Sequence, residues 1–252
     1  MLVLAAGTAL EASPGELVEA AAAAGFGGVG LRLSHGRSPG AAALRELVAA
    51  ADGLGVVVHD VEVHRVGDGT DPTALIDAAV AVGARRLLAV SDLADTAATV
   101  DAFAALAGQA AEAGLEVGIE YMAWTNPSTP GTALEIARRT GCTVVADVLH
   151  HHRVGAGPEE LRRLVASGLL GWVQLCDAPA AAPADLVHEA RHARLPPGQG
   201  ALPLDRLLAE IPASVVRSVE VQSEILSAQM NVSDRAVLLA RASAPWAGAA
   251  AT

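Results

Sequence analysis

Cysteine is scarce. The chain has two in 252 residues, Cys142 and Cys176, far apart. That excludes a disulfide scaffold and a cysteine-only zinc site, and it suits a reducing, cytoplasmic compartment. Positive charge is also in the minority: Lys+Arg is 17 against Asp+Glu 28, a formal net charge of −11. Phosphate backbones are gripped by clustered cations, so nucleic acid is excluded as a general partner. No stretch reaches the roughly 18–20 apolar residues that cross a bilayer, which removes the membrane as a partner. The opening residues, Met1 to Gly7, lack the basic start and long apolar run of a signal peptide. No G-x-G-x-x-G follows the first candidate strand, so a dinucleotide-binding open sheet lacks its main signature. Aromatic residues are only 2% of the chain.

What the chain does have is aliphatic. Hydrophobic residues make up 52% and the mean hydropathy is +0.39, enough for a sizeable core of alanine-rich helices and buried strands. Short apolar runs begin near Leu2, Gly28, Val56, Arg86, Glu116, Thr143, Gly171 and Val216. The first seven starts lie about 26–30 residues apart, close to the length of a βαβ unit. Helix signals fill the gaps. Ser13-Pro14-Gly15-Glu16 reads as an N-cap, a first-turn proline and an acidic first turn. Asp71-Pro72 repeats the pattern, and Gly157-Pro158-Glu159-Glu160 is a variant with glycine at the cap. Gly25, Gly55, Gly83, Gly114, Gly141 and Gly168 sit where helices should end. Eight such repeats in this length predict an α/β fold, a (β/α)8 TIM barrel. Residues 1–242 form the single domain, and 243–252 read as a flexible tail. The long gap after strand seven reads as an extended loop.

In a barrel of this kind chemistry sits at the C-terminal strand ends. Strand five ends in Glu120 and strand six in Asp147; strand seven carries Gln174 and strand eight Glu220. Three acids and an amide converging there would repel and resist burial without a cation. One divalent metal resolves both problems. The all-oxygen donor set suits Mn²⁺ or Mg²⁺, with Co²⁺ and Zn²⁺ as further options. Salt-bridge or capping roles are the alternative for each acid taken singly. On strand three, Asp60, Glu62 and His64 share parity. Glu62 is the choice there for an extra acid/base or hydroxyl-binding group; the alternative is a polar layer paired to Arg32. Arg32 and His35 approach the mouth from strand two. Arg153 is a candidate anchor for an acidic or hydroxylated substrate, with an ordinary surface role as the alternative. His151 and His152 read as loop surface. Tyr121 and Trp124 are candidates for a pocket wall, and Trp124 equally for a subunit contact. Cys176 reads as a small buried hydrophobe.

The strings VGIEYMAW (117–124), DVLH (147–150), VQLCDA (173–178), RLPPGQG (194–200) and VEV (219–221), in that order, resemble the xylose-isomerase-like barrel superfamily. Within it they look like the sugar phosphate isomerase/epimerase group. The resemblance spans nearly the whole chain. It implies one divalent metal on Glu120, Asp147, Gln174 and Glu220, with Glu120 and Glu220 also serving as acid/base. It implies that His150 binds a substrate oxygen or shuttles a proton, and that Arg194 reaches the substrate or braces its loop. The expected substrate is a small polyhydroxylated carbonyl compound. The expected reaction is proton transfer beside the carbonyl, giving isomerisation or epimerisation. Many sugar epimerases carry histidine on strand seven. Gln174 resembles instead the dehydroshikimate and inosose dehydratase branches, so a lyase is the alternative. A non-catalytic metal-binding barrel subunit is the alternative of another class. Relatives often form dimers or tetramers, which extends the expectation to a homo-oligomer.

Overall fold

The computed structural model describes residues 1–33 and 39–248. Eight parallel strands close in sequence order into a barrel: β1 (Leu2–Leu4), β2 (Gly28–Arg32), β3 (Val57–Val66), β4 (Arg86–Ser91), β5 (Glu116–Glu120), β6 (Thr143–Asp147), β7 (Leu170–Leu175) and β8 (Val216–Val219). Each expected strand start falls within one residue of the observed one. The helices are α1 (Pro14–Ala24), α2 (Ala41–Leu54), α3 (Thr73–Ala81), α4 (Thr96–Glu112), α5 (Pro130–Thr140), α6 (Val148–Arg153), α7 (Pro158–Ala166), α8 (Leu186–His192), α9 (Leu204–Leu208), α10 (Glu224–Gln229) and α11 (Val232–Ser243).

Local chemistry explains the boundaries. Ser13 and Glu16 form a reciprocal capping box at α1, which satisfies two backbone N–H groups left over by the first turn. The Asp71 carboxylate, two residues before α3 begins, accepts from Thr73 N at 3.0 Å. Gly25, Gly55 and Gly141 end α1, α2 and α5 in the left-handed conformation, which costs a residue without Cβ little.

The main core lies between strands and helices, where Leu, Val, Ile and Ala side chains are buried. A smaller cluster fills the barrel interior: Leu88, Val145 and Trp172, with Val63 and Val216 packed against it. Trp172 is 1% exposed, and its ring lies over Gly118, where an added Cβ would come within 2.3 Å of it. The indole thus fills the space that a glycine vacates on the neighbouring wall.

Two expectations need correction. The stretch after β7 is not one extended loop, because Asp185 caps the helix α8 and α9 follows; only the flanks are irregular. His151 is not loop surface. It lies on α6 and is fully buried, since Tyr121 Oη and Gly157 O both hydrogen-bond to it, at 2.7 and 2.9 Å. The carbonyl can only accept, so His151 Nε2 carries the proton and Nδ1 accepts from Tyr121. A turn at Ala244–Trp246 follows α11, and the Trp246 indole donates to Asp205 at 2.8 Å.

Trp172→Ala should cost about 3–5 kcal/mol of folding stability, the range for emptying a buried aromatic site. Urea unfolding measures it; a loss below about 1 kcal/mol would show that the interior collapses around the vacancy.

Candidate metal and substrate site

Register brings the four strand-end residues together. Glu120 pairs with Val145, Asp147 with Gln174, and Gln174 with Ser218, two residues before Glu220. All steps are even, so all four side chains share the inward parity, and the strand tilt of a closed barrel offsets the climb in register. Every one is buried: Glu120 6%, Asp147 1%, Gln174 2% and Glu220 4% exposed.

Asp147 does two jobs. It caps α6, its Oδ1 accepting from Leu149 N at 2.7 Å and His150 N at 3.1 Å. Its Oδ2 accepts from Arg194 Nη1 at 2.6 Å. The same Nη1 lies 3.2 Å from the Glu220 carbonyl and 3.5 Å from its Oε2. Arg194, itself 2% exposed, is thus a buried cation held among the acids. Its Nε donates to Ala190 O at 2.6 Å, which fixes the side chain from behind.

The electrostatics follow from burial. Desolvation, reinforced by Glu220 and Asp147, drives the Glu120 carboxyl well above the usual carboxylate range. Glu220 is also raised by burial, with Arg194 opposing. Asp147 is the exception: burial pushes it up, but Arg194 and His150 outweigh this and hold it below its ordinary value. Burial drops His150 to about 4, so it is neutral at neutral pH. Its Nε2 stands 3.4 Å from Arg194 Nη2 and 3.6 Å from Glu120 Oε1.

This donor set fits a hard divalent cation. Glu120, Asp147 and His150 each offer a ligand atom within 4.8 Å of the others. Gln174 Oε1 is buried with no hydrogen-bond partner among the described residues, and a buried amide oxygen left unpaired is costly. A cation beside the raised carboxylates would satisfy that oxygen and the excess negative charge together.

A cavity of about 330 Å³ opens over the cluster. Glu120, His150, Arg194 and Glu220 line it, and Arg32 and Glu62 form a facing wall. Arg32 Nη2 donates to Glu62 Oε1 at 3.1 Å, so Glu62 is paired to Arg32 and also lines the cavity. On β3, Asp60 and Glu62 keep the expected even step, paired with Gly30 and Arg32. The β2–β3 register slips just before Asp60, where His59 hydrogen-bonds to Asp60 at 2.8 Å and lies edge-on to Trp172; the β3–β4 register slips between Val61 and His64, which takes His64 out of step. A hollow of about 370 Å³ beyond Arg32 carries Glu11 and Glu16 but no comparable donor cluster.

Other expected residues fall outside the cavity. Arg153 grips Glu189 with two bonds of 2.8 and 2.7 Å and donates to Pro179 O at 2.7 Å; its guanidinium is spent on bracing the chain after β7. Trp124 packs edge-on against the His150 ring, centroids 5.2 Å apart, and so sets that ring's orientation. Cys176 is buried beside Arg194, and burial raises its thiol far above the normal range. His35 lies outside the described residues. The sequence reading missed Asp177. Its Oδ1 accepts from Ala178 N and Leu202 N, and its Oδ2 from Gly198 N, at 2.8–3.0 Å. This ties down the loop that delivers Arg194, and Gly200 packs so close that a Cβ would meet Asp177 Oδ1 at 2.4 Å. The signal available was an acid directly after Cys176, with the glycine pair Gly198 and Gly200 downstream.

Burial, opposed by Arg32, lifts Glu62 from its ordinary 4.5 to about 7. A folded-state value above the unfolded one means that the native protein holds an extra proton. That contribution to stability is full below about pH 4.5 and is lost as pH rises through about 7. Between pH 5 and 8 the metal-free wild type should therefore lose about 2–3 kcal/mol more stability than Glu62→Gln. Urea unfolding at both pH values tests this; parallel losses would remove Glu62 as the source.

Comparison with known proteins agrees with this architecture. A family model described as xylose isomerase-like TIM barrel matches residues 18–229. Over 134 residues the chain is 31% identical to a 3-dehydroshikimate dehydratase of Pseudomonas aeruginosa; the match covers 52% of this chain and 21% of that protein. The IOLI protein, solved with a zinc atom, superposes with a TM-score of 0.83 at 18% identity, covering 98% of this chain and 97% of that one. D-psicose 3-epimerase of Clostridium cellulolyticum H10, solved with D-tagatose, gives 0.75 at 15%, covering 98% and 99%. The chain belongs to the xylose isomerase-like TIM barrel family.

Proposed function

We propose that this protein is a divalent-metal-dependent isomerase or epimerase that moves a proton beside the carbonyl of a small, polyhydroxylated substrate. The observation that carries the reading is the set of inward-facing oxygen donors on four consecutive strands, one of them the unpaired Gln174 Oε1. Glu120, Asp147, Gln174 and Glu220 would hold the metal, with His150 close enough to share it. The metal would withdraw electron density from the carbonyl and so acidify the adjacent C–H.

The remaining work falls to side chains. Glu120 and Glu220 flank the cavity as the groups that take and return the proton. Their carboxyls are shifted upward, which suits a base that must also act as an acid. Neutral His150 offers an uncharged hydrogen bond to a substrate oxygen. Arg194 stabilises negative charge developing near Asp147 and Glu220. Arg32 and Glu62 bind hydroxyl groups from the facing wall. The chain contains no lysine, so an imine route to the same proton abstraction is closed within it.

A dehydratase is the second reading, and two observations favour it: glutamine rather than histidine on β7, and the 31% identity to a 3-dehydroshikimate dehydratase. The two readings share proton removal and diverge afterwards. Reprotonation gives an isomer, whereas loss of a β-hydroxyl gives water and a double bond. A bound zinc in the structural relative IOLI supports a metal here without choosing its identity.

Elemental mass spectrometry of the purified protein should find about one divalent metal per chain, lost in Glu220→Ala. No metal in either protein, even after incubation with Mn²⁺ or Mg²⁺, would defeat the reading. With metal present, ketoses, inososes and 3-dehydroshikimate are incubated in deuterated water. Exchange beside the carbonyl should appear for one class and fall by about 10²–10⁴-fold in Glu120→Gln and Glu220→Gln. Product of unchanged formula marks an isomerase; loss of water marks a dehydratase. Binding with no exchange in any case would favour a non-catalytic subunit.

A further inference from the structure

The cavity wall is rich in arginine. Arg32, Arg65, Arg191 and Arg194 line it, against Glu62, Glu120 and Glu220. Three of these guanidiniums are already matched: Arg32 to Glu62 at 3.1 Å, Arg65 to Asp92 at 2.6 Å and Arg194 to Asp147 at 2.6 Å. Arg191, in the last turn of α8, makes no hydrogen bond or ion pair among the described residues, and it is exposed at the rim. The acids around it are engaged elsewhere. Glu189 is held by Arg153, Glu224 by His192, and Glu11 by Arg235. Glu11 and Glu224 share with Arg191 the small hollow beside the mouth, yet neither pairs with it.

Charge matching gives this pattern a meaning. The carboxylates of Glu120, Asp147 and Glu220, the Arg194 guanidinium and one divalent cation sum to zero. The Arg32–Glu62 and Arg65–Asp92 pairs also sum to zero. Arg191 is left at the entrance with no ion pair among the described residues, the nearby Glu224 being turned to His192 instead, in a protein whose net charge of −11 otherwise repels anions. A guanidinium presents parallel N–H donors that fit two oxygens of a carboxylate or phosphate.

We propose that the substrate carries an anionic group, a carboxylate or a phosphate, and that Arg191 receives it at the rim while the carbonyl end reaches the acidic cluster below. This rests on the function proposed above for where the carbonyl goes; the anion-binding part stands on Arg191 alone. A neutral sugar would leave the entrance charge unmatched.

Calorimetric titration of the Mn²⁺-loaded protein tests it with three probes on one scaffold: D-glucuronate, D-glucose 6-phosphate and D-glucose. One of the two anions should bind at least about tenfold more tightly than D-glucose, and Arg191→Gln should remove that margin while leaving Mn²⁺ uptake unchanged. Whichever anion binds identifies the group as carboxylate or phosphate. The proposal is overturned if neither anion outbinds D-glucose, or if the margin survives in Arg191→Gln. Because the readout is binding, a protein that prefers anions yet never exchanges deuterium would sink the proton-transfer reading and leave this one standing. A metal-loaded protein that exchanges deuterium but prefers neutral sugar would do the reverse.

Discussion

Burial of like charge at one end of a closed barrel is the constraint on which the rest of this molecule turns. Glu62, Glu120, Asp147 and Glu220 are each 6% exposed or less, and Glu62, Glu120 and Glu220 line one cavity at that end. Buried carboxylates must be paired, protonated or bound to a cation. All three solutions are in use or provided for. Asp147 is paired with Arg194 and stays ionised. Glu62 leans on Arg32 but keeps a raised pKa. Glu120 has only the weak reach of His150 and Arg194, and it is the acid most in need of a cation. The same arrangement that makes the mouth costly to fold makes it reactive, because groups held away from their preferred protonation states respond to small changes in nearby charge.

That constraint reaches outward through the chain after β7. Arg194 is the counter-charge of the cluster, so the segment that delivers it must be fixed. Asp177 fastens the following loop through three backbone N–H groups, and Arg153 with Glu189 fastens α8 against Pro179. Tyr121, His151 and Gly157 form a second brace. Tyr121 follows Glu120 and His151 follows His150, so one hydrogen bond sets the spacing of two cluster residues. Polar groups that look redundant in the sequence are the supports that hold the site's geometry.

Much of this was legible beforehand, for identifiable reasons. Strand starts and helix caps are local: Ser13, Gly25 and Gly141 act on residues within a turn of themselves. The four strand-end donors were legible because strand parity is a strict period of two and the barrel orders its strands by sequence. Parity held from Asp60 to Glu62 but not to His64, because the pairing of β3 to β4 slips between Val61 and His64. His151 was misread because adjacent histidines on a short helix point to different surroundings, and only packing shows which meets Tyr121. Arg153 was a reasonable anchor by position and charge; its partner Glu189 lies 36 residues on, on a helix that the sequence reading took for loop.

The sequence by itself determined the repeat, the barrel, the caps and the donor chemistry at each strand end, because all of these follow from interactions within a few residues or from periodicity. Tertiary structure alone decided which charges meet. Arg194 reaches Asp147 across 47 residues, Trp172 fills the space over Gly118, and Arg191 makes no ion pair among the described residues while Glu189, Glu224 and Glu11 find other partners. Pairing of charges depends on distances in space set by the closure of the whole barrel, and no local pattern encodes those.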